Sequence, residues 1–164
     1  MLEIENKLIA DAAAAGQFIV VIATKEGERI PLTIVNSDEA KGTITIIFQE
    51  AGFTTKLLGK LNRGDSLYAV AGPMGNPTEI RKYGNVILAG GGVGIAEIYP
   101  VAKALKREGN YIVSILGART KDLLILEPEL RKVSDEVYVC TDDGSYGRKG
   151  FTTDILEELL TNTG

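Results

Sequence analysis

Histidine is absent from this chain, and with it go histidine-containing catalytic triads and histidine metal sites. Cysteine occurs once, at Cys140, which rules out an internal disulfide, a cysteine-rich zinc site and a self-contained cysteine-ligated iron–sulfur cluster. Tryptophan is missing too. No apolar run approaches the roughly 18 residues that span a bilayer, so membrane insertion is not expected. Basic residues are outnumbered, 18 Lys and Arg against 22 Asp and Glu, for a net charge of −4. That balance argues against a nucleic-acid binder, which needs a clustered basic face. The acidic start of the chain is unlike a signal peptide and points to a cytoplasmic protein.

What the chain has in excess is glycine, 19 of 164 residues against a usual share of about 7%. The glycines cluster at Gly72–Gly75, Gly90–Gly94 and Gly144–Gly150. Clustered glycine after apolar runs marks backbone that approaches a ligand closely. The length suits one large domain or two small ones, and 45% apolar residues suffice for a packed core.

The first half reads as β structure. Strands are expected over Gln17–Thr24, Arg29–Val35, Thr43–Phe48 and Ser66–Ala71, with a polar turn at Asn36–Gly42 and one helix at Thr55–Asn62. Several short strands with one helix suit a small antiparallel barrel. The second half changes period. Asn85–Ala89, Tyr111–Leu116 and Glu136–Cys140 are apolar without alternation, as in strands covered on both faces. Helical spacing over Ala96–Arg107, Leu123–Val133 and Thr152–Leu160 separates and follows them. The pattern βαβαβα implies a parallel sheet of three βα units, and the division between the halves is placed near Tyr83–Gly84.

Gly90-Gly91-Gly92-Val93-Gly94 stands between a buried strand and a helix. Either this is a tight strand–helix turn, or the glycines let a phosphate reach backbone N–H groups at a helix N-terminus. Four glycines in five residues exceed what a turn requires, although G-x-G-x-x-G is not met. Thr141–Gly147 (TDDGSYG) follows the third parallel strand, where open α/β sheets bind ligands; it reads equally as a solvated loop. Arg119 ends the second strand in the same layer and can meet a ribose or phosphate, or pair with Asp122. Arg29-Ile30-Pro31-Leu32-Thr33 puts a cation and a hydroxyl on a rigid strand, suited to a pyrophosphate and a ring nitrogen or simply to an edge. Gly52-Phe53-Thr54-Thr55 opens the first helix as a cap or a phosphate contact. Gly72-Pro73-Met74-Gly75 reads as a turn and Cys140 as inert core.

The ordered set ERIPLTI, GPMG, GGGVGIAEIYPVAKAL, GARTKDLLIL and TDDGSYGRKGF resembles the ferredoxin–NADP⁺ reductase superfamily, nearest to its electron-transfer subunits. These are the subunits of dihydroorotate dehydrogenase and sulfide dehydrogenase and the small subunit of NADH-dependent ferredoxin:NADP⁺ oxidoreductase. The resemblance runs from about Gly16 to Leu160. It implies an FAD-type barrel over residues 1–83 and an NAD(P)-binding domain over 84–164. By the same resemblance Arg29, Pro31, Leu32 and Thr33 line FAD, with Arg29 on phosphate and Thr33 near the flavin ring. Gly52, Thr54 and Thr55 hold its pyrophosphate. Gly91, Gly92, Val93 and Gly94 lie under the dinucleotide phosphates, and Arg119, Asp142 and Asp143 lie near the nicotinamide nucleotide. The chemistry implied is hydride transfer between nicotinamide and flavin within a multi-subunit oxidoreductase, with no histidine or catalytic cysteine needed. The alternative is a non-catalytic nucleotide-binding or assembly module of such a complex. No acidic residue stands in Gly117–Lys121 to claim a ribose 2′-hydroxyl, so NAD and NADP both stay open.

Three departures from the family shape further expectations. Glu97 stands where the family carries proline, placing a carboxylate beside the phosphate site. The family's further parallel strands and its cysteine-rich segment for a [2Fe–2S] cluster are not among these 164 residues, and by the same resemblance its first barrel strand is expected before Met1. Those features imply a chain truncated at both ends and incomplete as a catalyst alone. They also leave Asn85–Ala89 as an apolar sheet edge, to be covered by a second copy or by a catalytic or iron–sulfur partner subunit.

Overall fold

The chain folds as two units in the computed structural model, which describes residues 1–161: Met1–Thr78 and the stretch from Glu79 onward. The first unit runs β1 (Leu2–Glu5), α1 (Lys7–Ala12), β2 (Phe18–Ile22), β3 (Arg29–Thr33), β4 (Asn36–Asp38), β5 (Thr43–Ile46), α2 (Phe53–Leu58) and β6 (Ala69–Met74). Its strands form two antiparallel sheets, in the orders β1-β5-β4 and β3-β2-β6. Residues 34 and 35 tie the sheets together: the Ile34 N–H donates to Gln17 C=O and the Val35 N–H to Thr45 C=O. Period-two alternation turns Ile19, Val21, Ile44 and Ile46 into one core, which Ile9, Ala10, Ile34 and Leu58 complete.

Three local outcomes differ from the sequence expectation. Leu2 and Ile4 pack on the core while Glu3 and Glu5 face solvent, so the acidic start of the chain is a strand, paired with β5. The polar stretch from Asn36 is also a strand, because Asn36 lies opposite Thr45 and Asp38 opposite Thr43. Gly72–Met74 continues β6 rather than turning; a Cβ at Gly72 would lie 2.8 Å from Ile19 Cγ2, so only glycine permits this approach of β6 to β2.

The second unit contains β7 (Asn85–Gly91), α3 (Ile95–Arg107), β8 (Tyr111–Ala118), α4 (Glu127–Val133), β9 (Glu136–Thr141), β10 (Arg148–Lys149) and α5 (Thr152–Thr161). Its sheet is parallel throughout, in the order β10-β9-β8-β7. β8 is central and buried from Ile112 to Ala118. Even-numbered Ile112 and Leu116 face Ile95, Ala102, Leu105 and Leu130 of α3 and α4. On the opposite face Ile115 and Cys140 meet Ile155 of α5. Helices on both faces explain the non-alternating apolar runs. Gly109, at φ +77°, closes α3 as its left-handed cap residue.

The division falls after Thr78, a few residues before the expected Tyr83–Gly84. Asn110 is the reason. Its buried side chain accepts the N–H groups of Tyr83 (2.6 Å) and Gly84 (3.0 Å) and donates to the carbonyls of Arg81 and Leu105, fastening residues 81–84 to the second unit. The helix expected from Leu123 begins only at Glu127, behind a short 3₁₀ turn at Lys121–Leu123. Pro128 lacks an N–H and its ring excludes a preceding helical turn, which confines it to the start of α4.

Candidate functional site

In the first unit the polar face is carried by β3, an edge strand that pairs only with β2. Pro31 sits opposite Val20, and an edge is where a residue without an N–H fits a sheet. Alternation places Arg29, Pro31 and Thr33 on one face, and Ile30 and Leu32 on the other, where both pack against the core. Leu32 therefore reaches the outer face through its backbone alone. Arg29 is exposed and makes no ion pair among the described residues. Gly52 caps α2, its N–H donating to Thr55 Oγ1 (3.0 Å), while the Thr55 hydroxyl donates back to Gly52 C=O (3.1 Å). Thr54 is turned inward, only 4% exposed, and its hydroxyl donates to Glu28 Oε2 at 2.8 Å. Glu28 was invisible as a site residue in the sequence, because the contact spans 26 positions and no local pattern announces it.

In the second unit the residues expected to bind a dinucleotide gather at the carboxyl ends of β7, β8 and β9. The register aligns Gly91 with Gly117 and Ala118 with Thr141, and the N–H groups of Asp142 and Asp143 donate to the carbonyls of Ala118 and Arg119. The glycines divide by role. A Cβ at Gly90 would meet the Gly94 carbonyl oxygen at 2.9 Å and the Ile95 backbone at 3.0 Å, so this glycine serves strand–helix packing. A Cβ at Gly92 or Gly94 would meet nothing within 4 Å, and one at Gly91 only Gly117 O at 4.0 Å. Gly92, at φ +57°, takes a left-handed conformation that turns the chain into α3. Open backbone at a helix N-terminus offers unpaired N–H groups and the positive end of the helix dipole to an anion. Val93 is exposed beside it, and Glu97 lies exposed in the first turn of α3.

Arg119 is exposed, without an ion pair to Asp122 or any other residue among those described. Asp143 accepts the Ser145 N–H at 2.9 Å, and hydrogen bonding to Ser145 holds its carboxyl below the usual carboxylate range. Asp142 is exposed. Thr141, fully buried, shapes the following loop: its hydroxyl donates to Tyr146 C=O (2.8 Å) and accepts the Tyr146 N–H (3.1 Å). Gly147 permits the return, since a Cβ there would lie 2.3 Å from Val139 O. The Lys121 ammonium lies 5.2 Å over the Tyr146 ring, and the Lys121 backbone N–H donates to Ser145 Oγ. Sequence reasoning missed Thr141 and Tyr146 as organisers of this loop.

A cavity of about 370 Å³ lies elsewhere in the second unit, lined by Tyr138, Arg148, Ile155 and Glu158 among others, and contains none of the expected site residues. Among the described residues no group of three or more Cys, Asp or Glu is placed to hold a metal ion, and no helix is long and apolar enough to cross a membrane.

The arrangement has close counterparts. A curated relative from Thermotoga maritima, named as a dihydroorotate dehydrogenase B (NAD(+)) electron transfer subunit homolog, is 47% identical over 157 residues, covering 96% of this chain and 55% of the relative. A solved structure of an NADH-dependent reduced ferredoxin-NADP oxidoreductase, described for flavin-based electron bifurcation, aligns with a TM-score of 0.90 at 46% identity, over 96% of this chain and 57% of its own. The cytochrome b5 reductase domain of Ulva prolifera nitrate reductase aligns with a TM-score of 0.63 at 19% identity, over 84% of this chain and 66% of its own, a likeness of fold alone. No family model matches. The chain thus spans just over half the length of the curated relative.

Proposed function

We propose, for a chain that belongs by homology and fold to the ferredoxin–NADP⁺ reductase superfamily, with the electron transfer subunits of dihydroorotate dehydrogenase B, that it binds FAD through its first unit and NAD(P) through its second. In this reading it is a cytoplasmic oxidoreductase subunit passing electrons between NAD(P)H and the redox centres of a catalytic or iron–sulfur partner subunit. Bound flavin supplies acceptance of a hydride and its release as single electrons. The protein's share is position and electrostatics.

Arg29 meets a phosphate, Thr33 stands near the flavin ring, and Pro31 with the Leu32 backbone stiffens the strand between them. Gly52 and Thr55 approach the pyrophosphate, while Thr54 acts from behind. Gly91, Gly92, Val93 and Gly94 underlie the dinucleotide phosphates, and Arg119, Asp142 and Asp143 flank the nicotinamide nucleotide. The observation that carries the reading is the open backbone of Gly91, Gly92 and Gly94 at the carboxyl edge of the parallel sheet, a cradle that side chains would fill. The residues present fit a phosphate there, and the unpaired Arg29 fits one on the first unit.

The test is a visible spectrum of the purified chain after incubation with FAD, then with NADH or NADPH under argon. Retained flavin absorbance that bleaches on nicotinamide addition is the expected result. A retained band that does not bleach removes the nicotinamide half of the reading. No retained flavin removes the redox reading and leaves a non-catalytic assembly role.

A further inference from the structure

We propose that Glu28 is a positioning residue, and that its hydrogen bond with Thr54 is the device that keeps Arg29 available to a phosphate. The inference rests on the reading that the first unit binds FAD, and adds a residue that reading does not use.

Three observations converge. Thr54 is 4% exposed, so its hydroxyl needs a protein partner, and Glu28 Oε2 is that partner at 2.8 Å. Glu28 directly precedes Arg29, the first residue of β3. Arg29 makes no ion pair among the described residues, in a chain where acidic residues outnumber basic ones 22 to 18. A carboxylate free to swing beside an exposed guanidinium would compete with any phosphate for it. Held by Thr54, the Glu28 carboxylate is turned to α2 and its charge is partly met by a donor. The same bond ties the start of β3 to the start of α2, which fixes the backbone from which Arg29 projects. A bound anion then meets a preorganised cation and does not have to displace an internal partner.

The experiment is an FAD titration of the full chain by flavin fluorescence, with a thermal melt of each flavin-free variant. Thr54→Val keeps the shape and removes the hydroxyl; Thr54→Ser restores it. We expect Thr54→Val to weaken FAD binding about tenfold, Thr54→Ser to restore it, and Glu28→Gln, which still accepts a hydrogen bond, to stay near wild type. The decisive arm is the Arg29→Ala background, where Thr54→Val should cost nothing further, because the effect passes through Arg29. Equal weakening in both backgrounds overturns the inference, as does unchanged affinity in Thr54→Val. If Thr54→Val melts so low that it does not fold, Thr54→Ala, which also removes the hydroxyl and leaves the Glu28 carboxylate in place, gives the same readout in the two backgrounds. Wild-type chain that takes up no FAD overturns the flavin reading and this inference together, whereas FAD uptake without coupling overturns the inference alone.

Discussion

Two of the strands that end a sheet in this molecule, β3 and β7, do so by opposite means. β3 is five residues long, carries Pro31 in its middle and presents Arg29 outward. β7 is seven residues long, has no proline or charge, and finishes in glycine. Val86, Ile87 and Leu88 stay only partly buried in β7 although helices cover the sheet on both faces. Proline and charge are the features by which edge strands resist pairing with another chain. On β3 the same two features are the proposed ligand contacts, so protection of the edge and recognition share residues. β7 has no such protection, and its contribution to recognition comes from bare backbone. One surface is made of side chains, and the other is made of their absence.

Gly90→Ala should break the molecule hardest. Its Cβ would press on the backbone at Gly94 and Ile95, and we expect a loss of about 2–4 kcal/mol, read from the denaturant midpoint. Gly94→Ala, which meets nothing within 4 Å, should stay within about 0.5 kcal/mol of wild type. Equal effects would erase the division between packing and cradle glycines. Arg29→Ala comes next: stability within about 0.5 kcal/mol of wild type, but FAD affinity lower by about 1.5–3 kcal/mol. A fall in stability without a fall in affinity would make Arg29 an edge guard only. A smaller effect is expected at the other edge. Hydrogen exchange of Asn85–Gly91 should slow as protein concentration rises, through strand addition by a second copy at β7. Strong protection already present in a dilute monomer would sink that dimer.

The smallest expected effect compares the units through one carboxylate in each. Hydrogen bonding by the Lys41 N–H lowers the Asp38 pKa, and Lys106 together with the Ile112 N–H lowers that of Asp135. A depressed folded pKa contributes stability above the unfolded value, which is lost as pH falls through the folded one. The melting temperature should therefore drop below about pH 4, and Asp135→Asn should flatten that slope.

The parallel half was largely legible because its signals are local and agree. Runs such as Asn85–Ala89 and Tyr111–Leu116 lack alternation, Gly109 follows the first helix-sized interval, and β8 is indeed buried on both faces. The antiparallel half was read less fully. Leu2–Glu5 and Asn36–Asp38 become strands only because β5 lies between them, and no property of three or four residues reveals a partner further along the chain. The candidate site divided the same way. Arg29 and the glycine run stood out by type and spacing, whereas Glu28, Thr141 and Asn110 act through contacts to distant backbone or side chains. Thr54 shows the limit best: its motif named it, but its hydroxyl points into the unit.

Cys140 lies at 1% exposure on the α5 face of β9, with its thiol directed to the Leu116 carbonyl and its pKa pushed up by burial. As the only sulfhydryl in the sequence, it is a built-in clock for the second unit. An alkylating reagent added to the native protein has to wait for α5 to lift or the sheet to part before it finds a thiolate. The rate at which the chain gains the reagent's mass therefore reports how often that unit breathes, and any ligand that settles on the glycine cradle should slow the clock without touching the residue that keeps the time.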